Sequence, residues 1–266
     1  MMSSVAGRYA VLHLAALIAI PYSYVAPDLH VQTNVQGTLN LLNAARAADV
    51  SRFVHTSTSE VCGTARYAPM DEGHPLQGQS PCSASKIGAD QMANSFYTSF
   101  QLPTVTVRPF NTFGPRQSAR AVIPTVVSQV AAGKKGIQLG ALTPTRDFTY
   151  VSDTAKGFTA ALRSDKGVGE VINLGAGFEV SVAETFALIA EVMGSDAVAT
   201  EDPHRRRPQN SEVEPLFSNN AKAKELLDWS PELAGIDGFR ERLRRTAEWF
   251  VDPVNLARYR SDAYTV

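Results

Sequence analysis

Cysteine is scarce in this chain, with 2 in 266 residues. That excludes a disulfide scaffold, and Cys62 and Cys82, standing as single residues, form no Cys-x-x-Cys metal knuckle. No H-x-x-x-H spacing occurs either, so we read His13, His55 and His74 as structural or surface residues and expect no metal. An excess of either charge is missing too: 25 Lys and Arg stand against 26 Asp and Glu, a net charge of −1. Nucleic-acid surfaces need clustered cations, and the densest basic run is Arg205-Arg206-Arg207, so nucleic acid is not an expected partner. Long hydrophobic runs are also absent. The apolar stretch at 10–20 is interrupted by His13 and falls short of the ~20 residues that span a membrane. Only Arg8 precedes it and Pro21-Tyr22-Ser23-Tyr24 offers no small-residue cleavage site, so it reads as a buried strand and loop, not a secretory leader. Few cysteines and no leader fit a reducing, cytoplasmic setting. Repeats, low-complexity tracts and long charge blocks do not occur.

What is present is an alternation of strands and helices. Residues 11–15 form a short apolar strand. Thr33-Asn-Val-Gln36 has the spacing of a capping box ahead of a helix striped by Leu39, Leu42, Ala45 and Ala48. Residues 52–57 make the next strand, and a Gly-, Pro- and Ser-containing loop leads to Ser80-Pro81, an N-cap followed by proline that predicts a helix to about Phe100. The alternating residues 104–108 predict another strand. Such alternation implies a parallel sheet with helices on both faces. Farther on we expect a helix at 123–132, strands at 137–139 and 147–151, a helix to Arg163 and a strand at 170–174. A helix opened by the Ser181–Glu184 capping box should run to Met193, with two more at 221–228 and 239–250.

Chemistry concentrates in two segments. Thr56-Ser-Thr-Ser-Glu60-Val-Cys-Gly63 lies at the carboxyl end of a predicted core strand, the end at which open parallel sheets bind ligands. Ser80-Pro-Cys82-Ser-Ala-Ser-Lys86 places Cys82 and Lys86 four residues apart on one helix face, where an ammonium favours a neighbouring thiolate.

Together these segments resemble the extended short-chain dehydrogenase/reductase family, closest to its nucleotide-sugar 4,6-dehydratases of the GDP-mannose or GDP/UDP-N-acetylglucosamine type. Further matches are His13-Leu-Ala-Ala16, Asn34-Val-Gln-Gly-Thr38, Arg108-Pro-Phe-Asn-Thr-Phe-Gly-Pro-Arg116 and Arg146-Asp-Phe-Thr-Tyr-Val-Ser-Asp153, in family order along nearly the whole chain. The resemblance implies an α/β fold: a doubly wound, Rossmann-like parallel sheet lacking its first βαβ units, with a smaller interleaved C-terminal substrate domain. Residues 1–115 would form a truncated NAD-binding domain and 116–266 the nucleotide-sugar domain, with 146–174 returning to the core. It also implies NAD as cofactor, a nucleotide-diphosphate sugar as substrate and a homodimer.

The implied chemistry is transient oxidation at sugar C4, proton abstraction at C5, loss of water from C6 and return of the hydride. By resemblance, Thr58 would bond the 4-oxygen, Glu60 would be the C5 base, and Cys82 and Lys86 would occupy the proton-transfer positions. Leu14, Ala15, Ala16, Ser57 and Lys86 would meet the cofactor, and Asn111, Arg120, Arg146 and Arg207 the nucleotide sugar. The Thr58-Ser59-Glu60 triplet is the mannose-type form, glucose-type dehydratases carrying Asp where Ser59 stands. UDP-glucuronate decarboxylases share the triplet and are the alternative activity.

Two departures bear on these expectations. No Gly-x-x-Gly-x-x-Gly occurs in the sequence, and the matched part begins at the family's fourth strand, which would leave strand 11–15 at a sheet edge prone to association and NAD binding weak. Cys82 occupies the position of the family's catalytic tyrosine, and Cys62 that of a nearby second tyrosine. A cysteine sulfur stands roughly 3–4 Å nearer the backbone than a phenol oxygen, more than the slack in a hydrogen bond of ~2.6–3.2 Å. A non-catalytic sugar-nucleotide binding subunit is therefore a further alternative.

Overall fold

The structure, a computed structural model, describes residues 10–205, 208, 213 and 215–259. Strand β1 (Ala10–His13) leads through a short helix α1 (Ile20–Val25) to α2 (Pro27–His30), which passes through a π-helical segment, Val31–Gln36, into α3 (Gly37–Ala47). Then come β2 (Arg52–Thr56), the long helix α4 (Pro81–Phe100) and β3 (Thr104–Pro109). The chain leaves through β4 (Asn111–Phe113), α5 (Val122–Ala131), β5 (Gly136–Leu139), β6 (Thr145–Arg146) and β7 (Phe148–Tyr150), and returns by α6 (Val151–Arg163) to β8 (Val171–Leu174). Strand β9 (Val180–Ser181), α7 (Val182–Val192), β10 (Val198–Glu201), α8 (Ala221–Leu227) and α9 (Gly235–Val251) follow.

The main sheet has the order β1-β2-β3-β8, every pair parallel. This is the α/β, Rossmann-like arrangement that the alternation predicts. Side chains alternate across a strand, so β2 feeds two cores. Phe53 packs with Leu42, Phe96 and Leu102 on the α3–α4 side, and Val54 with Phe158, Ala161 and Ile172 on the α6 side. Full burial of a side chain such as Phe53 contributes ~1.5–3 kcal/mol relative to exposure. A separate core gathers Phe113, Ile123, Val127, Ile189, Phe239 and Phe250 around the later elements.

Three details differ from expectation. The Thr33–Gln36 spacing is not a helix start: Pro27 in the first turn begins the helix six residues earlier, so no side chain caps at 33. The π segment instead carries Asn34, whose amide accepts from Leu17 N (2.8 Å) and donates to Leu17 O and to Ser85 Oγ (both 2.9 Å), fixing the loop after β1 against α4. Strand β1 is not buried as the apolar run suggests. Among the described residues β2 is its one neighbour, and Leu12, Leu14 and Ile18 are 43%, 62% and 76% exposed. Strand β10 was not legible because Val-Ala-Thr-Glu shows no buried alternation; it pairs in parallel with β5.

Unpaired apolar strand edges template association. We expect the 266-residue chain to self-associate at this edge and Leu12→Lys to reduce that association several-fold. An unchanged mass distribution in sedimentation equilibrium would contradict this.

Candidate active site

All four strands of the main sheet point their carboxyl ends the same way, and Thr58, Glu60, Cys82 and Lys86 lie at that end. Strand β2 ends at Thr56. Thr58 is extended, and its hydroxyl accepts from Glu60 N (3.3 Å), capping the 3₁₀ turn Ser59–Cys62. Gly63 then reverses the chain at φ 62°, where a Cβ would lie 2.7 Å from the Gln77 carbonyl oxygen. This sharp exit leaves Thr58 and Glu60 half-buried at the sheet's lip while Ser59, Val61 and Cys62 pack beneath.

The second half of the site comes from α4. Ser80 and Ser83 form a reciprocal capping box and Pro81 occupies the first turn, so the helix starts abruptly beside β2. Cys82, Lys86 and Asp90 then follow at one-turn spacing on one face, all buried. The Lys86 ammonium donates to the Thr56 carbonyl, tying the helix to the end of β2. The Cys82 thiol is directed to the Leu17 carbonyl at 3.8 Å, across the loop that carries Leu14, Ala15 and Ala16. Burial pulls the Lys86 pKa below the usual lysine range, against the opposing charges of Asp90 and Cys82. Neither Cys62 nor Cys82 is in a disulfide. Burial pushes the Cys62 thiol up, although Arg108 Nη1 lies 3.7 Å from its sulfur.

Below this lip runs a buried polar stripe. Residues 53, 55 and 57 share the α4 face, and the register sets His13 beside His55. His55 Nε2 lies 3.0 Å from Asp90 Oδ1, Ser57 Oγ donates to Asp90 Oδ2 at 2.5 Å, and His13 Nε2 lies 2.9 Å from Thr38 Oγ1. Burial, with His55 and Lys86 nearby, holds His13 down at about 4, and burial likewise lowers His55. Both imidazoles are therefore neutral at pH 7. The unfolded chain takes up these protons near 6.5, so the stability they confer is complete above that pH and falls as pH drops toward 4. We expect His13→Gln to shrink the loss between pH 7.5 and 5 by roughly 1–2 kcal/mol. Urea unfolding at the two pH values checks this; an undiminished loss would contradict it.

The expected substrate residues are less closely gathered. Asn111 begins β4 just past β3, half-buried, with its side-chain Oδ1 buried and unpartnered. Arg146 is buried in β6, donating to the Thr145 carbonyl at 2.8 Å. Next to it Asp147 accepts from Ala176 N, Gly177 N, and Ser218 N and Oγ, knitting three segments together; burial nonetheless raises its carboxyl to about 6. Arg120 sits exposed ahead of α5. Arg207 lies outside the described residues.

Sequence reading missed Asp90, although the Lys-x-x-x-Asp spacing on a helix already assigned was a signal. It read His55 as a structural or surface residue and Asn34 as part of a family match but gave neither a partner, since those contacts depend on the packing of β2 on α4 and on the π segment. Among the described residues no cluster of three or more metal-ligating side chains occurs, and no helix is long and apolar enough to cross a membrane.

The family model described as GDP-mannose 4,6 dehydratase matches residues 6–242. The chain belongs to that family. It is 34% identical over 234 residues to the low-salt glycan biosynthesis protein Agl12 of Haloferax volcanii, covering 88% of this chain and 74% of that protein. Among solved structures it is similar to a UDP-N-acetylglucosamine 4-epimerase from Methanobrevibacter ruminantium in complex with UDP-N-acetylmuramic acid. There the TM-score is 0.85 and the identity 29%, over 94% of this chain and 79% of the other. It is also similar to DesIV, a dTDP-glucose 4,6-dehydratase from Streptomyces venezuelae with NAD and TYD bound, at TM-score 0.84 and 26% identity, over 95% and 76%. The similar proteins thus include both dehydratases and epimerases on one fold.

Proposed function

We propose that this protein is an NAD-dependent nucleotide-sugar 4,6-dehydratase supplying bacterial surface-sugar biosynthesis. The observation that carries the reading is the convergence of Thr58 and Glu60 from β2 with Cys82 and Lys86 from α4 at the carboxyl end of one sheet. The residues present fit the nicotinamide half of NAD: the buried Lys86 ammonium, and the open loop of Leu14, Ala15 and Ala16 beyond β1. The sequence contains no glycine cradle for the pyrophosphate. When bound, NAD supplies reversible hydride transfer.

The protein's own residues would do the rest. Thr58 donates to the sugar 4-oxygen and Lys86 supplies positive charge beside it. Cys82 holds the position that would accept the 4-hydroxyl proton as the hydride leaves C4. Glu60 removes the C5 proton, which a 4-ketone makes acidic enough for a carboxylate. Arg146, Arg120 and Arg207 are assigned to the nucleotide diphosphate, and Asn111, whose buried amide oxygen is unpartnered and can only accept, to a hydroxyl or N–H group of the nucleotide sugar. Residues 1–115 would carry the cofactor and 116–266 the nucleotide sugar, with 146–174 rejoining the core. A cytoplasmic homodimer packed through α4, where Phe100 is exposed, completes the proposal.

Proton NMR of products from GDP-, UDP- and dTDP-hexoses incubated with NAD tests it. A 6-deoxy-4-keto sugar, recognised by its new methyl doublet, is expected. A C4 epimer, or pentose and carbon dioxide from UDP-glucuronate, would overturn dehydration in favour of epimerase or decarboxylase. Binding with no conversion would leave a binding subunit.

A further inference from the structure

We propose that Asp90 is a positioning residue, the fixed counter-charge that keeps Lys86 an ammonium docked on the Thr56 carbonyl. Three observations carry this. Asp90 lies one helical turn beyond Lys86 on the same buried face of α4, so its charge reaches the ammonium across that face while the ammonium itself sits on the Thr56 carbonyl. Both of its oxygens are clamped from β2: Ser57 donates to Oδ2 at 2.5 Å and His55 Nε2 meets Oδ1 at 3.0 Å. The His55 ring is fully buried with its Nδ1 unpartnered, which assigns the proton to Nε2, so the imidazole is a donor to the carboxylate. Two converging donors fill the acceptor positions of the carboxylate and fix its orientation.

The charges around Lys86 make the need plain. The groups whose charge reaches it are Cys82 and Asp90 on its own helix, His55 from β2 and His13 from β1. Both histidines are neutral at pH 7, and a protonated form of either would repel the ammonium. Asp90 is then the standing anion that offsets the burial of a lysine only 3% exposed. The stripe Ser57-His55-Asp90 is a brace whose end product is a charged, immobile Lys86 at the lip of the sheet.

The inference rests on the proposed function only for the use made of Lys86, and its test needs no turnover. In the 266-residue protein labelled with ¹³C-lysine, the Lys86 resonance is assigned by its loss in Lys86→Arg and titrated by NMR. Asp90→Asn preserves shape and removes charge; Lys86 should then titrate about one to three pH units lower, the range a neighbouring opposite charge commands. Asp90→Glu should restore most of the native value. Ser57→Ala, which frees one oxygen and disturbs the fold least, should shift Lys86 in the same direction by less. A Lys86 titration unmoved in folded Asp90→Asn overturns the proposal. If that variant does not fold, an unmoved titration in Ser57→Ala overturns it instead. If Lys86 shifts as expected while no nucleotide sugar is converted by the native protein, the positioning role stands and the dehydratase reading falls.

Discussion

Cys82→Tyr should raise turnover of a nucleotide sugar by about a hundredfold or more, the scale of a well-placed proton acceptor. Cys82 sits in the first turns of α4, one turn from Lys86, with its sulfur directed to the Leu17 carbonyl at 3.8 Å. A cysteine sulfur stands roughly 3–4 Å nearer the backbone than a phenol oxygen, so in the proposed site the thiol would take up the 4-hydroxyl proton poorly. A phenol on the same Cα extends past that carbonyl, and the Lys86 ammonium would favour its anion as it favours the thiolate. The comparison belongs in the 266-residue chain or in any longer polypeptide that contains it, by steady-state kinetics with saturating NAD. Equal turnover of the cysteine and tyrosine forms would show that the thiol reaches the substrate.

Glu60→Gln should separate oxidation from elimination. Glutamine keeps the size and half-buried setting of Glu60 on the 3₁₀ turn capped by Thr58, so the fold is expected to persist. It cannot take up a proton as a carboxylate does. Dehydration is expected to slow by ~10²–10⁴-fold, the contribution of a general base, while NADH absorbance at the start of turnover remains. In deuterated water the variant should also lose solvent deuterium at C5 of the sugar. Undiminished incorporation would remove Glu60 from the mechanism.

Much of the fold was legible because its signals are local. Ser80-Pro81 and Ser181–Glu184 are capping chemistry, and both helices start where those residues place them. The alternation in residues 104–108 and the strand expected at 52–57 became neighbouring strands in register, Phe53 opposite Thr104. What escaped depended on tertiary context. Thr33 looked like a cap because its spacing is right, but Pro27 had already begun the helix. Hydropathy alone makes Leu12 and Leu14 read as buried, and only the family resemblance, which sets strand 11–15 at a sheet edge, anticipates their exposure. The lip residues Thr58, Glu60, Cys82 and Lys86 were found by position on strand end and helix start. The brace behind them was not, because Ser57, His55 and Asp90 meet only when β2 and α4 pack.

In the proposed reaction, hydrogen removed from C4 of a nucleotide hexose returns to C6 of the same molecule at the lip formed by β2 and α4. A substrate deuterated at C4, turned over with NAD and analysed by deuterium NMR, reads that path directly. Deuterium is expected in the C6 methyl group of a 4-keto product. Deuterium found again at C4 of an epimer would contradict it.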